Sequence, residues 1–223
     1  MKTASVTGSR PRKVGPAEAA RALAERDTVL ARLVHDFGPP VFPKPTDSHF
    51  AMLVRSVTYQ QLAGAAARAI HGRLLVALDG DVSAERLLAT PTGALRGAGL
   101  STNKAASLLD LATKVADGTV VLDPRRMARE SDEEIVTQLS TVRGIGRWSA
   151  QMFLMFQLRR LDVWPTGDLG VRKGFARAWD IPVPTPKALE VLGEPYHPYR
   201  SIVAWYCWRA AELGGSARSA VTG

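Results

Sequence analysis

The feature that most constrains the fold is a helical repeat of apolar residues that continues through almost the whole chain. Apolar side chains recur at positions i, i+3 and i+4 in successive segments, and a glycine, a proline or a polar capping residue separates each segment from the next. Only residues 118–124, GTVVLDP, show a weak strand pattern. The sequence therefore predicts an all-α fold of about ten helices.

The two ends of the chain lack this pattern. Residues 1–17 are predicted to form a disordered basic tail, and residues 216–223 a flexible C-terminus. The helical domain is predicted over residues 18–215, and its first long helix ends at Gly38. Within this domain, residues 131–158 are predicted to form two helices joined by a glycine turn.

The composition points to a polyanionic partner. The chain has 223 residues, of which 46% are hydrophobic, and this is enough for a sizeable core in one domain or two small lobes. Its net charge is +8 and its isoelectric point is about 10.1. Such an excess of basic residues indicates nucleic acid as the leading candidate for a partner. The alternative is that the positive charge serves solubility alone.

Several function classes are excluded by residues that are scarce. The single cysteine, Cys207, excludes an internal disulfide framework, a four-cysteine iron–sulfur cluster and a multi-cysteine zinc site. The four histidines show no metal-ligand spacing. No apolar run reaches the roughly 18 residues of a membrane helix, and the first residues lack the apolar stretch of a secretory signal. We therefore expect a protein that acts away from membranes.

One turn carries the pattern of an anion-binding site. Residues 139–150, LSTVRGIGRWSA, place Gly144 and Gly146 between two helical segments, with Arg143 and Arg147 beside them. Glycines let a ligand approach the backbone closely, and the start of the following helix offers unpaired N–H groups. The pattern predicts contacts with DNA phosphates, which position the duplex without reading its sequence. The alternative is that the glycines serve only a tight turn.

The order of the motifs resembles the helix-hairpin-helix–Gly/Pro–Asp DNA glycosylase superfamily. The glycine turn is followed by Pro165, Thr166 and Gly167 and then by Asp168, as the hairpin, the Gly/Pro-rich loop and the aspartate follow one another in that superfamily. Three further stretches are similar to its 3-methyladenine DNA glycosylase II branch: RSVTYQQLAGAAARAI, LRGAGLSTNKAASLLDLA and YRSIVAWYCWRAAE. The resemblance spans about residues 26–213.

This resemblance implies a fold and a reaction. The fold would be all-α and bilobal, without the N-terminal β-rich domain that some relatives carry. The reaction would cleave the N-glycosidic bond between a damaged base and deoxyribose. Asp168 would stabilise the positive charge that grows on the sugar and would orient the attacking water. Asp168 is equally suited to cap the helix that follows it, and the two roles are compatible.

Trp148 decides the subclass within the resemblance. Superfamily members with lyase activity carry a lysine at this position, two residues after the second hairpin glycine, and that lysine attacks the sugar. Tryptophan cannot form the covalent intermediate. The resemblance therefore implies a monofunctional glycosylase that uses water and requires no cofactor.

The substrate pocket is expected to be aromatic. By position, Trp148 and Trp208 match pocket tryptophans of the family, and Met152 stands where a relative offers tyrosine. Aromatic faces attract the cationic purines that alkylation produces, once the base is flipped out of the duplex. Four other aromatic residues close to these in the sequence are predicted to pack in the core: Phe153, Phe156, Trp205 and Tyr206.

The resemblance also implies a wedge that fills the gap left by the flipped base. Gln61 falls at the intercalating position, and Leu62 is the second candidate. The alternative is that this segment is an ordinary polar turn between helices.

The hairpin of the family holds a monovalent cation through backbone carbonyls. The matching carbonyls belong to Ser140, Val142 and Ile145, and a structural Na⁺ or K⁺ is the expected ion. The matching N–H donors to phosphate belong to Gly144, Gly146 and Ser149.

Together these features predict a monomeric DNA glycosylase that excises alkylated purines, such as 3-methyladenine and 7-methylguanine, from damaged double-stranded DNA. We expect it in the cytoplasm, associated with the nucleoid. Two alternatives stay open. One is a non-enzymatic helix-hairpin-helix DNA-binding protein. The other is a glycosylase for oxidised, deaminated or etheno bases.

Overall fold

The chain folds into helices joined by short loops. A computed structural model describes residues 14–219, with side chains as far as residue 213, and no strand occurs in this part of the chain. The all-α prediction is confirmed, although thirteen α-helices form there instead of about ten. They are α1 Pro16–Ala24, α2 Thr28–Phe37, α3 His49–Tyr59, α4 Gly64–Ala77, α5 Ala84–Ala89, α6 Thr92–Gly97, α7 Thr102–Ala116, α8 Pro124–Met127, α9 Asp132–Ser140, α10 Arg147–Met152, α11 Leu169–Trp179, α12 Pro186–Gly193 and α13 Arg200–Ser219.

Two lobes share one continuous core. Helices α1 and α2 pack with α11 and α13, so the first and last described helices build one lobe together. The second lobe contains α3–α10, in which α7 packs against α3, α5 and α6. The buried apolar side chains of the two lobes form a single cluster. No described helix is both long and apolar enough to cross a membrane.

The first predicted long helix is two helices, and Asp27 causes the break. Its side chain accepts hydrogen bonds from the backbone N–H groups of Val29 and Leu30, which makes it the N-cap of α2. Its other carboxylate oxygen accepts from Tyr196 Oη at 2.9 Å and from Trp179 Nε1 at 3.3 Å. Asp27 therefore ties the start of α2 to the C-terminal part of the same lobe.

The helices at both ends of the described chain extend past the predicted domain boundaries. Helix α1 begins at Pro16, where proline is favoured because the first helical turn needs no N–H donor, so the last two residues of the predicted 1–17 tail are helical. Residues 1–13 of that tail lie outside the described residues. Helix α13 extends to Ser219, into the predicted flexible segment 216–223, of which 220–223 lie outside the described residues.

The helix predicted over residues 147–158 begins as an α-helix and continues as a π-helix. After α10 the chain forms a π-helix over Phe153–Gln157, a rare geometry that is frequent at functional sites. The Gln157 side chain there donates to the carbonyl of Asp47 and contacts Nδ1 of His49 at 3.0 Å. Within this segment Phe156 stacks on Trp208 of the other lobe, while Phe153 is buried.

Helices α11 and α13 approach each other unusually closely. A Cβ atom on Gly174 would lie 1.7 Å from the carbonyl oxygen of Cys207, so no residue larger than glycine fits there. This contact fixes the depth at which α13 lies against α11. It therefore also fixes Trp208, the residue after Cys207.

Candidate functional site

Asp168 lies where the two lobes meet, and three N–H groups donate to its carboxylate. It is the N-cap of α11 and accepts from the backbone N–H of Val171 at 2.8 Å. Trp208 Nε1 donates to the same oxygen, Oδ1, at 3.1 Å, and Trp148 Nε1 donates to Oδ2 at 2.6 Å. The structure thus brings together the three residues that the sequence placed in one site, and the capping role of Asp168 coexists with its place there.

The local sequence explains how Asp168 is held. Residues 165–168 form a tight turn in which the N–H of Asp168 donates to the carbonyl of Pro165 at 2.9 Å. Gly170 leaves room beside it, because a Cβ there would lie 3.0 Å from both Asp168 Oδ1 and Trp208 Cδ1. The Asp168 charge and burial together raise the pKa of the Cys207 thiol, with burial the larger cause. The site is therefore rigid on its α11–α13 side.

Trp148 is the exposed member of the site. Its side chain is 49% exposed, while Trp208 is partly buried. Met152, which the sequence placed in the pocket, is only 9% exposed and belongs to the core. Trp148 therefore lies on the solvent side of the site, whereas Met152 is part of the core.

A stack of aromatic rings continues from the Trp208 side of the site. Phe156 stacks on Trp208 with ring centroids 6.0 Å apart and on Phe42 at 5.7 Å. Phe156 also lines a cavity of about 420 Å³, together with polar and charged residues that include Lys44, Asp47, Arg55, Ser56 and Tyr59. The core prediction fits Phe153, Trp205 and Tyr206, which are buried, and Phe156, which is partly buried and packs against the core.

The α9–α10 turn has the backbone geometry of an open anion site. Ser131 and Glu134 form both hydrogen bonds of a capping box at the start of α9. Gly144 has a φ of +76°, which glycine adopts without strain, and Gly146 has empty space within 4 Å of where a Cβ would lie. Among the described residues no group accepts from the N–H of Gly144, Gly146 or Ser149.

The two arginines of the turn differ in their partners. Arg147 donates to both carboxylate oxygens of Glu133, at 2.9 and 2.8 Å, and these hydrogen bonds lower the pKa of Glu133 and raise that of Arg147. The Arg143 guanidinium is exposed and donates to Asn103 Oδ1 at 3.1 Å. Arg143 is therefore held by a neutral partner and Arg147 by an anionic one.

The predicted wedge segment is a turn between α3 and α4. Gln61 is exposed and has a φ of +57°, the left-handed region that non-glycine residues rarely occupy. Leu62 is 37% exposed beside it. Both candidates therefore project from the tip of the turn, and their role in DNA stays a prediction.

Comparison with known proteins assigns the family. The model of the HhH-GPD superfamily base excision DNA repair protein matches residues 54–197. The chain belongs to this superfamily. DNA-3-methyladenine glycosylase 1 of Schizosaccharomyces pombe is 33% identical over 187 residues, which are 82% of this chain and 81% of the relative.

Solved structures of superfamily members agree in fold. A DNA-3-methyladenine glycosidase from Bacillus halodurans has a TM-score of 0.80 and 30% identity, covering 89% of this chain and 91% of its own. A 3-methyladenine DNA glycosylase from Schizosaccharomyces pombe, in complex with abasic DNA, has a TM-score of 0.75 and 31% identity, covering 88% and 97%. The bilobal helix-hairpin-helix fold is thus confirmed.

The three carbonyls that the resemblance assigns to a cation differ in their hydrogen bonds within the described residues. No described donor bonds to the carbonyl of Ser140 or of Ile145, whereas the Val142 carbonyl accepts from the N–H of Ile145 at 3.0 Å. A carbonyl oxygen can serve a donor and a hard cation together through its two lone pairs. Within residues 14–219 no three histidine, cysteine, aspartate or glutamate side chains converge on a metal site.

Sequence reasoning did not single out several residues that contact the Asp168 site or the wedge turn. They are Phe156, Gly170 and Gly174 around Asp168, and Gln60 and Lys104 beside the wedge turn. Gly170 and Gly174 could have been found from their spacing on one face of α11. The others act through contacts that are distant in sequence, for which the sequence holds no local signal.

Proposed function

We propose that the protein is a monofunctional DNA glycosylase of the 3-methyladenine DNA glycosylase II branch. It flips alkylated, cationic purines such as 3-methyladenine and 7-methylguanine out of duplex DNA, excises them and so initiates base-excision repair. The observation that carries the proposal is the Asp168 carboxylate held between two indole N–H groups at the lobe boundary. Relatives that cover most of the chain and are named for 3-methyladenine support it.

Asp168 supplies the charge that the reaction needs. The bond between C1′ of the sugar and the base nitrogen breaks, and the base leaves with the electron pair. Water then bonds to C1′ and gives one proton to the carboxylate or to solvent. The carboxylate stabilises the positive charge on the sugar in the transition state, and its three donors keep it oriented while this happens.

The monofunctional assignment rests on Trp148. Its indole nitrogen donates to Asp168, and the lone pair of this nitrogen belongs to the aromatic ring system and cannot attack C1′. The abasic strand is therefore left intact, and treatment with borohydride traps no protein–DNA adduct. A trapped adduct in the wild type would contradict this assignment.

The preference for cationic bases rests on the aromatic surface. Trp148 is half exposed beside Asp168, and Trp208 continues into the stack with Phe156 and Phe42. A cation over such a ring gains about 0.5–2 kcal/mol, depending on how far it is desolvated. A neutral undamaged purine gains less and also leaves less readily.

The hairpin and the wedge turn serve the DNA. The open N–H groups of Gly144, Gly146 and Ser149 bind phosphate with Arg143 and Arg147 nearby, while Gln61 or Leu62 fills the gap in the stack. The protein acts as a monomer in the cytoplasm, at the nucleoid. It needs no cofactor, and a Na⁺ or K⁺ at the hairpin carbonyls is structural.

Base release from methylated duplex DNA tests the proposal. We expect chromatography to show methylpurines released by the wild type and at least about a hundredfold less by Asp168→Asn. Asparagine can still accept from the N–H of Val171, so the cap on α11 survives and the variant folds. The matched control is Asp117→Asn, which alters an exposed carboxylate in the loop after α7 and keeps the wild-type rate.

The other outcomes separate the alternatives. DNA binding without release from any damaged duplex, and unchanged in Asp168→Asn, would identify a binding protein. Release of an oxidised, deaminated or etheno base, with methylpurines untouched, would identify a glycosylase for another lesion.

A further inference from the structure

Gln60, the residue before the predicted wedge, joins the α3–α4 turn to the hairpin. Its side-chain Nε2 donates to the carbonyl of Gly144 at 2.9 Å and lies 3.5 Å from Oγ of Ser149. The two ends of this contact are 84 residues apart in the chain. The side chain therefore spans two surface elements that no neighbouring backbone connects.

Lys104 of α7 holds the same turn from its other side. Its Nζ donates to the carbonyl of Thr58 at 2.9 Å and to that of Gln60 at 2.6 Å. These carbonyls lie at the end of α3, where intrahelical partners run out and a cation is favoured. Burial lowers the pKa of Lys104, because the ammonium group is partly removed from water to make these contacts.

The same helix also holds the hairpin. A Cβ on Gly144 would lie 2.7 Å from Oγ of Ser107, so the turn rests directly on α7. Further along, Asp110 accepts from the N–H of Arg143 at 2.7 Å, and Lys114 donates to the carbonyl of Thr141 at 2.6 Å. Lys104, Ser107, Asp110 and Lys114 follow the three- and four-residue spacing of one helix side.

We propose that Gln60 and Lys104 are positioning residues, which fix the wedge turn against the hairpin so that both engage the same nucleotide. The polar side of α7 contacts both the wedge turn and the hairpin and so sets the distance between them. The Gln60 side chain links the turn to the hairpin directly. The proposal rests on the proposed glycosylase function. It adds that base extrusion depends on a contact that need not touch DNA.

The reason is geometric. The hairpin holds the backbone of the strand, whereas the turn must deliver Gln61 or Leu62 into the gap left by one base. A displacement of about 1 Å in such a constellation costs on the order of a hundredfold in rate. The exposed turn carries a residue in a strained backbone conformation, so tethers from two sides are needed to keep it in register.

The test compares Gln60→Met with Gln138→Met. Methionine keeps the length of the side chain and removes the donor. Gln138 likewise makes one contact between elements, accepting from the N–H of Val121, but it does not touch the turn. We would measure single-turnover release of 7-methylguanine at saturating enzyme, fluorescence of 2-aminopurine beside the lesion as a report of unstacking, and affinity for undamaged duplex.

We expect Gln60→Met to slow release about tenfold and to reduce the fluorescence change, with affinity for undamaged duplex within about twofold of the wild type. Placing the lesion opposite an abasic site should shrink the defect to about twofold, because an unpaired base is easier to extrude. Lys104→Met should show the same pattern, and it replaces Gln60→Met as the test if Gln60→Met unfolds at a lower temperature than the wild type. The double variant should lose little more than the worse single variant.

Release and fluorescence within twofold of the wild type in Gln60→Met and Lys104→Met would overturn the proposal, as would an equal defect in Gln138→Met. Failure of the glycosylase function looks different. In that case the wild type releases no base, while the fluorescence change still reports whether the tether matters for unstacking. A wild type that neither releases nor unstacks the base overturns both.

Discussion

The chain contains the pattern Arg-Gly-x-Gly twice, and the two copies fold differently. In residues 143–146 the first glycine takes the positive φ, and the second faces empty space. In residues 96–99 the first glycine ends α6 and the second has a φ of +100°. A Cβ on Gly99 would lie 2.8 Å from the Arg73 guanidinium and 3.2 Å from Ile70.

The difference lies in what stands in front of the second glycine. Side chains of α4 fill that space in the 96–99 copy, and Arg73 Nε also donates to the carbonyl of Ala98 at 2.9 Å. In the hairpin copy nothing of the described chain comes near Gly146. The same four-residue pattern thus builds one turn whose second glycine is packed against the protein and one whose second glycine is open.

The largest effect is expected from Gly144→Ala. Alanine at a φ of +76° is strained, and its Cβ meets the short, buried side chain of Ser107, so we expect a loss of about 2–4 kcal/mol in the free energy of unfolding. Gly97→Ala, the matching residue of the other copy, should stay within about 1 kcal/mol of the wild type. Urea denaturation of both measures this. Equal losses would show that the two turns are alike.

A smaller and opposite pair of effects is expected at the second glycines. Gly146→Ala should leave the free energy of unfolding within about 1 kcal/mol, because its φ is ordinary and the space is open, yet it should weaken duplex binding about tenfold by keeping phosphate away. Gly99→Ala should lower the free energy of unfolding by about 1–3 kcal/mol and leave the affinity for duplex unchanged. Anisotropy titrations with undamaged duplex measure these affinities. Wild-type affinity in Gly146→Ala would show that this turn does not bind phosphate.

The smallest effect is a pH dependence that belongs to the hairpin copy alone. Burial works to raise the pKa of Asp110, but hydrogen bonds from Lys114 and the N–H of Arg143, with their charges, lower it overall. This contribution to stability is complete above the pKa of an unfolded aspartate, about 3.9, and is lost as the pH falls through the lower folded value. The stability gap between wild type and Asp110→Asn should therefore narrow below about pH 4.

The packed copy supplies the control for that measurement. Arg73→Met removes a guanidinium that donates to a backbone carbonyl, so no carboxylate titrates in this contact. Its cost in the free energy of unfolding should be the same at pH 3 as at pH 6, within about 0.5 kcal/mol. If the cost of Arg73→Met in the free energy of unfolding fell between pH 6 and pH 3 as steeply as that of Asp110→Asn, the effect of acid would not be specific to the Asp110 contact.

The sequence predicted those parts of the site that depend on local sequence patterns. The hairpin, its capping box at Ser131, the Asp168 cap and the helices carrying Trp148 and Trp208 all follow from residues close together in the chain. The break before α2 was also signalled, by Asp27 and the threonine after it, but the apolar pattern on either side concealed it.

The remaining features depend on distant contacts. Nothing around Phe156 signals a π-helix, and its place in the site depends on rings from both lobes. The Gln60 contact with Gly144 joins residues that approach only in the folded protein. The sequence alone also does not distinguish the first glycine of one Arg-Gly-x-Gly copy from the first glycine of the other, because they differ only in their surroundings in the fold.

The lobe that contains Trp208 is closed by both ends of the described chain. Tyr206 Oη donates to the carbonyl of Gly38 across 168 residues, and Tyr196 Oη to Asp27 across 169. Helices α1 and α2 pack on α11 and α13, whereas α3–α10 pack mostly among themselves, so we expect α3–α10 to fold first during synthesis. The hairpin surface is therefore finished early, and Asp168 receives its Trp208 donor only when α13 arrives. An unfinished chain would thus carry the hairpin turn without the contact between Trp208 and Asp168.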